Sequence, residues 1–227
     1  HFMPKTQPHD SDRSPNMDLE NATRTMNRWL RDTTDSLESL LSSVIHVAPL
    51  RESPARHSIF SGNVVSKVGR TGKHVGDILY QQPYYREKIN KWFTDLGIPY
   101  QLQTNKFPGV DFYSHQLVDT DTGVDVSLAD VGFGMSQILP ILLQGVISSG
   151  QLITIEQPEI HLHPRLQAEF GSFLAACITG NSDSNQFIVE THSEHLVLRL
   201  QRLVRENTLN ADDVSVIYVK RDADGAK

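Results

Sequence analysis

Two apolar runs in the last third of the chain end in groups that can hold a metal ion and a phosphate. The first, Leu152-Ile-Thr-Ile155, passes into Glu156-Gln157-Pro158-Glu159, and the second, Phe187-Ile-Val189, into Glu190-Thr191-His192-Ser193. A carboxylate that leaves a buried strand into a polar cleft is placed to hold Mg²⁺ through water, because magnesium takes oxygen ligands and commonly binds one or two carboxylates plus phosphate. A histidine at a neighbouring strand end can hydrogen-bond a terminal phosphate or the attacking water. Glu156 is thus the candidate metal carboxylate and His192 the candidate phosphate contact. Upstream, Val131-Gly-Phe-Gly-Met-Ser-Gln137 sets two glycines directly before a helical pattern. Unpaired N–H groups and the dipole at a helix start favour an anion, which marks Gly132, Phe133, Gly134, Ser136 and Gln137 as a candidate phosphate-binding set. A Gly-x-Gly before a helix also serves as a plain tight turn; the ordered combination carries more than any one piece.

These groups need a scaffold that brings strand ends together. After Asp130 the pattern reads helix 134–148, strand 151–156, helix 165–178, strand 186–190, helix 194–205 and strand 214–220, the alternation that a parallel α/β sheet with crossover helices requires. Ligands in such sheets sit at the carboxyl ends of the strands. The two site strands are apolar throughout, as expected for strands buried on both faces. Before Asp130 the chain reads differently. Leu30, Leu37, Leu40, Leu41 and Val44 have helical spacing over 17–43, leading into a short strand 44–47. Residues 49–56 hold two prolines and form a loop. Ile89, Trp92, Phe93 and Leu96 share one face of a helix expected over 75–96, ending at Gly97. Strands at 100–104, 112–118 and 124–128 make a small antiparallel sheet, the last two joined by a turn at 119–123.

The chain has 227 residues, 38% hydrophobic, with 21 Lys plus Arg against 27 Asp plus Glu. A formal charge of -6 argues against a surface built wholly for nucleic acid, though a local basic face fits within it. No apolar run approaches a membrane span or a signal peptide, so a cytoplasmic protein without membrane contact is expected. The single cysteine, Cys177, rules out an internal disulfide framework and reads as a small buried hydrophobe. The expected organisation is a disordered tail or cloning scar over 1–17, a helical and antiparallel β region over 18–129, and a catalytic lobe over 130–227.

The order of motifs resembles the ABC-type ATPase plan of the AAA-family RecF-like and OLD-like proteins over roughly residues 44–220. Glu156-Gln-Pro-Glu-Ile-His-Leu-His-Pro164 is similar to their Walker B strand and following D-loop. Asp130 to Gln137 is similar to their signature, with Gly132 where the usual signature has Ser, and Thr191-His192-Ser193 to their switch-histidine loop. Pro49 to Arg56 is similar to a family loop for which the residues suggest no role. The resemblance implies a P-loop NTPase-like α/β head that binds ATP and Mg²⁺ and dimerises head to tail, the signature of one copy closing on nucleotide held by the other. It also brings DNA repair or phage defence, a nuclease partner or domain, and DNA into consideration.

Two departures matter. The Gly-x-x-x-x-Gly-Lys-Ser/Thr loop that cradles phosphate does not occur; Lys67-Val-Gly-Arg-Thr-Gly-Lys-His74 has Lys67 for the first glycine and His74 for the hydroxyl, and reads as a turn. This chain alone is therefore expected to bind ATP poorly. Secondly, the position after the Walker B acid, usually a glutamate, is Gln157. An amide cannot accept a proton, so Gln157 orients water at best, with Glu159 as the alternative base, and slow hydrolysis or a nucleotide-holding clamp is expected. A catalytically silent interaction module that keeps the ATPase fold is the competing reading. A zinc hydrolase built on His161, His163, His192 and His195 is a third, although His192-Ser-Glu-His195 is one residue short of a His-x-x-Glu-His signature. His161 and His163 are expected to shape their loop and cap the next helix, and Asp222 to Gly225 to form a turn.

Overall fold

The computed structural model describes residues 15–60, 62–179, 184–222 and 225–226; most of the expected tail over 1–17 lies outside them. The chain divides into two compact units, His1–Ser43 and Val44–Lys227. The first is represented by α1 (Pro15–Ser43). Hydroxyls of Thr25, Thr33, Thr34 and Ser36 each donate to the carbonyl four residues back, so these poor helix formers satisfy themselves within the helix. Met26, Trp29, Leu30, Leu37, Leu40 and Leu41 stay exposed along it.

The second unit is α/β. Its parallel sheet has the order β1-β6-β7, formed by β1 (Ile45–Val47), β6 (Leu152–Glu156) and β7 (Gln186–Glu190). Beside it in sequence stands an antiparallel sheet of β2 (Ser58–Ile59), β3 (Tyr100–Lys106), β4 (Phe112–Asp119) and β5 (Asp125–Ser127), with β4 pairing all three others. The crossovers run through α4 (Phe133–Ile147) and α5 (Pro164–Thr179), and α6 (Glu194–Arg205) follows β7. Helix α4 is apolar nearly all round and buried from Met135 to Gly145, as a helix enclosed on every side must be. Phe93, Phe170, Phe173, Ile138, Leu139 and Leu142 form the centre of the core. Trp92 packs edge-on to Phe173, ring centres 4.9 Å apart. Cys177 is partly buried against this core, and burial pushes its thiol up to about 12.

Most expected elements form near their expected bounds, with three corrections. The single helix over 75–96 is two, α2 (Val75–Gln81) and α3 (Pro83–Asp95). Pro83 forces Gln82 to an extended conformation, φ -120° and ψ 84°, as the residue before proline prefers. The strand expected at 214–220 is absent: these residues pair with no strand among those described, following a 3₁₀ turn at Ala211–Asp213. Val216, Ile217, Tyr218 and Val219 are accordingly exposed. Strand β7 is not buried on both faces, since Ile188 is 60% exposed, because β7 ends the described sheet and one face lacks cover. At the C-terminus Arg221–Asp222 pairs with Gly225–Ala226, and Ala223 and Asp224, the centre of the expected turn, lie outside the described residues.

One buried polar group ties the small sheet to α2. His115 on β4 is 6% exposed; its Nε2–H donates to the Gly76 carbonyl (3.0 Å) and its Nδ1 accepts from the Thr104 hydroxyl (3.0 Å). A carbonyl only accepts, which fixes the neutral tautomer. Burial pushes this imidazole down to about 4.

Candidate functional site

Parallel pairing in register sets Glu156 directly beside Glu190, so the chain leaves β6 and β7 side by side. The Gln157 N–H donates to the Glu190 carbonyl at 2.8 Å, carrying the pairing one step past the strand. Gln157 lies in the left-handed region at φ 44°, a conformation that costs a side-chain-bearing residue roughly 1–2 kcal/mol. Such strain persists where surrounding contacts over-determine it. The Glu156 side chain is 38% exposed, with Oε1 3.2 Å from Nε2 of His46. His46 sits on β1, and its Nδ1 lies 2.9 Å from the Thr154 hydroxyl.

Glu159 has both carboxylate oxygens engaged: one accepts from the Thr191 hydroxyl (2.7 Å) and the other from the His192 N–H (2.6 Å). It pins the turn after β7 and leaves the His192 ring exposed. The next residue, Ser193, caps α6 by accepting from the Leu196 N–H, and its hydroxyl donates to Gln167 on α5 (2.7 Å). The turn after β7, the loop after β6 and helices α5 and α6 are therefore held as one piece. His163 Nδ1 accepts from the Arg165 N–H (3.3 Å) at the start of α5, and His195 is exposed on the first turn of α6. No group of three or more His, Cys, Asp or Glu able to hold a metal ion lies among the described residues.

The candidate phosphate set splits in two. Gly132 and Phe133 are exposed, and with Gly134 and His161 they line an open cleft of about 450 Å³ at the start of α4. Phe133 lies 5.3 Å from the His161 ring. Gly134 is needed for close approach, since a Cβ there would stand 2.8 Å from the His161 carbonyl oxygen. Ser136 and Gln137 turn inward instead. The Ser136 hydroxyl donates to the Phe133 carbonyl (2.8 Å), and the Gln137 amide holds the backbone of Arg51 from both sides: Oε1 accepts from its N–H (3.1 Å) and Nε2 donates to its carbonyl (3.2 Å).

Arg51 was not anticipated. It is 5% exposed, and its Nη2 donates to the Glu156 carbonyl at 2.8 Å. Nε and Nη1 are buried with no partner among the described residues. Burial lowers the guanidinium to about 10, against the pull of Glu159 and Glu156. The signal available in the sequence was position: the 49–56 loop follows β1, so Arg51 too leaves the carboxyl end of a parallel strand. The turn that imitates a phosphate loop buttresses this arginine. Gly72, His74 and Val75 N–H groups donate to Gly69, Val68 and Gly72 carbonyls, while the Arg70 and Thr71 carbonyls accept from Ala48 and Glu52.

No helix among the described residues is long and apolar enough to cross a membrane. A family model described as AAA ATPase domain matches residues 9–197. No curated protein matches the chain.

Proposed function

The chain belongs to the AAA ATPase domain family, and on that premise we propose that it is the carboxyl-terminal half of an ATP-hydrolysing head of the RecF-like and OLD-like kind. Its α/β fold, with a parallel sheet and crossover helices, is P-loop NTPase-like. The observation that carries the reading is the strand-end juxtaposition: Glu156 in register with Glu190, the strained Gln157 bonded across to Glu190, and His192 on a turn fixed by Glu159.

In this reading Glu156 holds Mg²⁺ through water, a donor set that fits one half-exposed carboxylate completed by phosphate oxygens. The ion, when bound, neutralises phosphate charge. Gln157 orients the attacking water, as an amide without a proton-accepting site can do, and Glu159 acts by setting the backbone that presents His192 to the terminal phosphate. The phosphate-cradling loop comes from outside these 227 residues; the amides spent within the 69–75 turn support that. The start of α4, open at Gly132 and Phe133, closes on nucleotide held by a second copy, so that ATP makes a dimerising switch. Its setting is DNA repair or phage defence, beside a nuclease. A silent interaction module is the second reading, favoured by Gln157 in place of the general base.

ATP binding and turnover with Mg²⁺ by the full-length protein test this. Glu156→Ala and His192→Ala each lower turnover at least tenfold, and Gln157→Glu raises it by supplying the missing base. A full-length protein that neither binds nor hydrolyses ATP leaves the interaction module standing.

A further inference from the structure

The peptide joining Glu156 to Gln157 is held at both ends. Its carbonyl accepts from Arg51 Nη2 at 2.8 Å and its N–H donates to Glu190 at 2.8 Å. This one peptide links the candidate metal carboxylate to the candidate water-orienting amide, and its orientation sets the left-handed φ of 44° at Gln157. A rotation of the peptide plane would swing φ of Gln157 to a relaxed value and carry its amide away from where it now lies. A left-handed residue with a long side chain does not hold itself there; the two flanking hydrogen bonds do. The Glu190 bond is an extension of the sheet. The Arg51 bond comes from outside it and is charge-assisted, hence the stronger of the two.

Arg51 is in turn fixed by α4. The Gln137 amide grips its N–H and its carbonyl together, so the arginine backbone cannot shift without α4, and α4 begins at the open cleft of Gly132 and Phe133. The guanidinium also has two buried nitrogens, Nε and Nη1, without acceptors among the described residues. A buried guanidinium with one hydrogen-bond acceptor and only the longer-range pull of Glu159 and Glu156 contributes little to stability, and an apolar side chain of like volume suits the site at least as well. Its presence calls for a role other than holding the fold.

We propose that Arg51 is a positioning residue which couples the start of α4 to the active-site amide: Gln137 holds Arg51, Arg51 holds the 156–157 peptide, and that peptide keeps Gln157 in its productive left-handed conformation. The inference rests on the ATPase reading for its consequence in rate, and on the backbone geometry alone for its structural claim.

The test uses the full-length protein and a double-mutant cycle. Arg51→Met lowers kcat for ATP at least tenfold with KM changed less than threefold, and does not lower the thermal midpoint. In a Gln157→Ala background the same substitution has no further effect on kcat, because the group it positions is gone. A structural arginine gives the opposite pattern: a lower midpoint and equal effects in both backgrounds, which overturns the proposal. A separate readout does not depend on turnover. The ¹³Cα and ¹³Cβ shifts of Gln157 report its backbone conformation; they leave left-handed values in Arg51→Met and stay there in Arg51→Lys, which keeps a donor. Unchanged shifts in Arg51→Met overturn the proposal even where the ATPase reading holds, whereas a wild-type protein with no turnover and an Arg51-dependent shift overturns only that reading.

Discussion

Gln157 is one of three described non-glycine residues, with His161 and Asn207, whose backbone is left-handed, and it lies one residue beyond the carboxylate on which the candidate site is centred. A second residue at odds with its surroundings is His115, a neutral imidazole enclosed between Thr104 and Gly76. Its folded value of about 4 lies below the ordinary 6.5, so between those values the unfolded chain binds more protons and stability rises with pH. Lowering the pH from 7 to 4 is therefore expected to cost on the order of 3 kcal/mol from this group. Urea unfolding across that range measures it, and His115→Gln flattens that part of the profile. At this scale position was legible in the sequence: Glu156 ends β6 and His192 follows β7, as expected. It was silent on Arg51, because its anchors, Gln137 and the Glu156 carbonyl, lie 86 and 105 residues away. Nor did the motif disclose that Ser136 and Gln137, expected as ligands from their place in it, make hydrogen bonds to Phe133 and Arg51.

Among the elements, α4 joins core and site: its middle is enclosed and its first turn is open. The two glycines at its start accordingly differ. A Cβ at Gly134 would meet the His161 carbonyl at 2.8 Å, whereas one at Gly132 would meet nothing within 4 Å. Gly134→Ala is expected to cost about 1–3 kcal/mol, as overpacking against backbone does, and to move the start of α4 away from His161. Gly132→Ala stays within about 0.5 kcal/mol of wild type. Chemical denaturation of the two variants side by side decides the matter. Elements with a strong local period, such as α4, β6, α5 and α6, were readable from sequence, because amphipathic or apolar repeats are set within a few residues. The strand expected at 214–220 was not, for its apolar alternation meets no partner strand among the described residues. Pairing is a property of two segments, and period shows only one. The break between α2 and α3 was legible in principle, since Pro83 stood within the helical pattern.

On the scale of the whole molecule, apolar surface remains uncovered in both units: the stripe of α1, the outer face of β7 at Ile188, and Val216 to Val219. Exposed strand-like segments of this kind invite pairing with other chains. The charge of -6 opposes indiscriminate self-association. The two tryptophans of the chain fall one to each unit. Trp29 stands 64% exposed on α1, while Trp92 lies against Phe173 in the core. The molecule thus carries a separate optical reporter for each unit. Iodide is expected to quench the red-shifted emission of Trp29 and spare the bluer emission of Trp92 until the core melts, so Trp29→Phe leaves a signal that follows the α/β unit alone. Any event that covers α1 would register as a blue shift in the one tryptophan while the other keeps its colour.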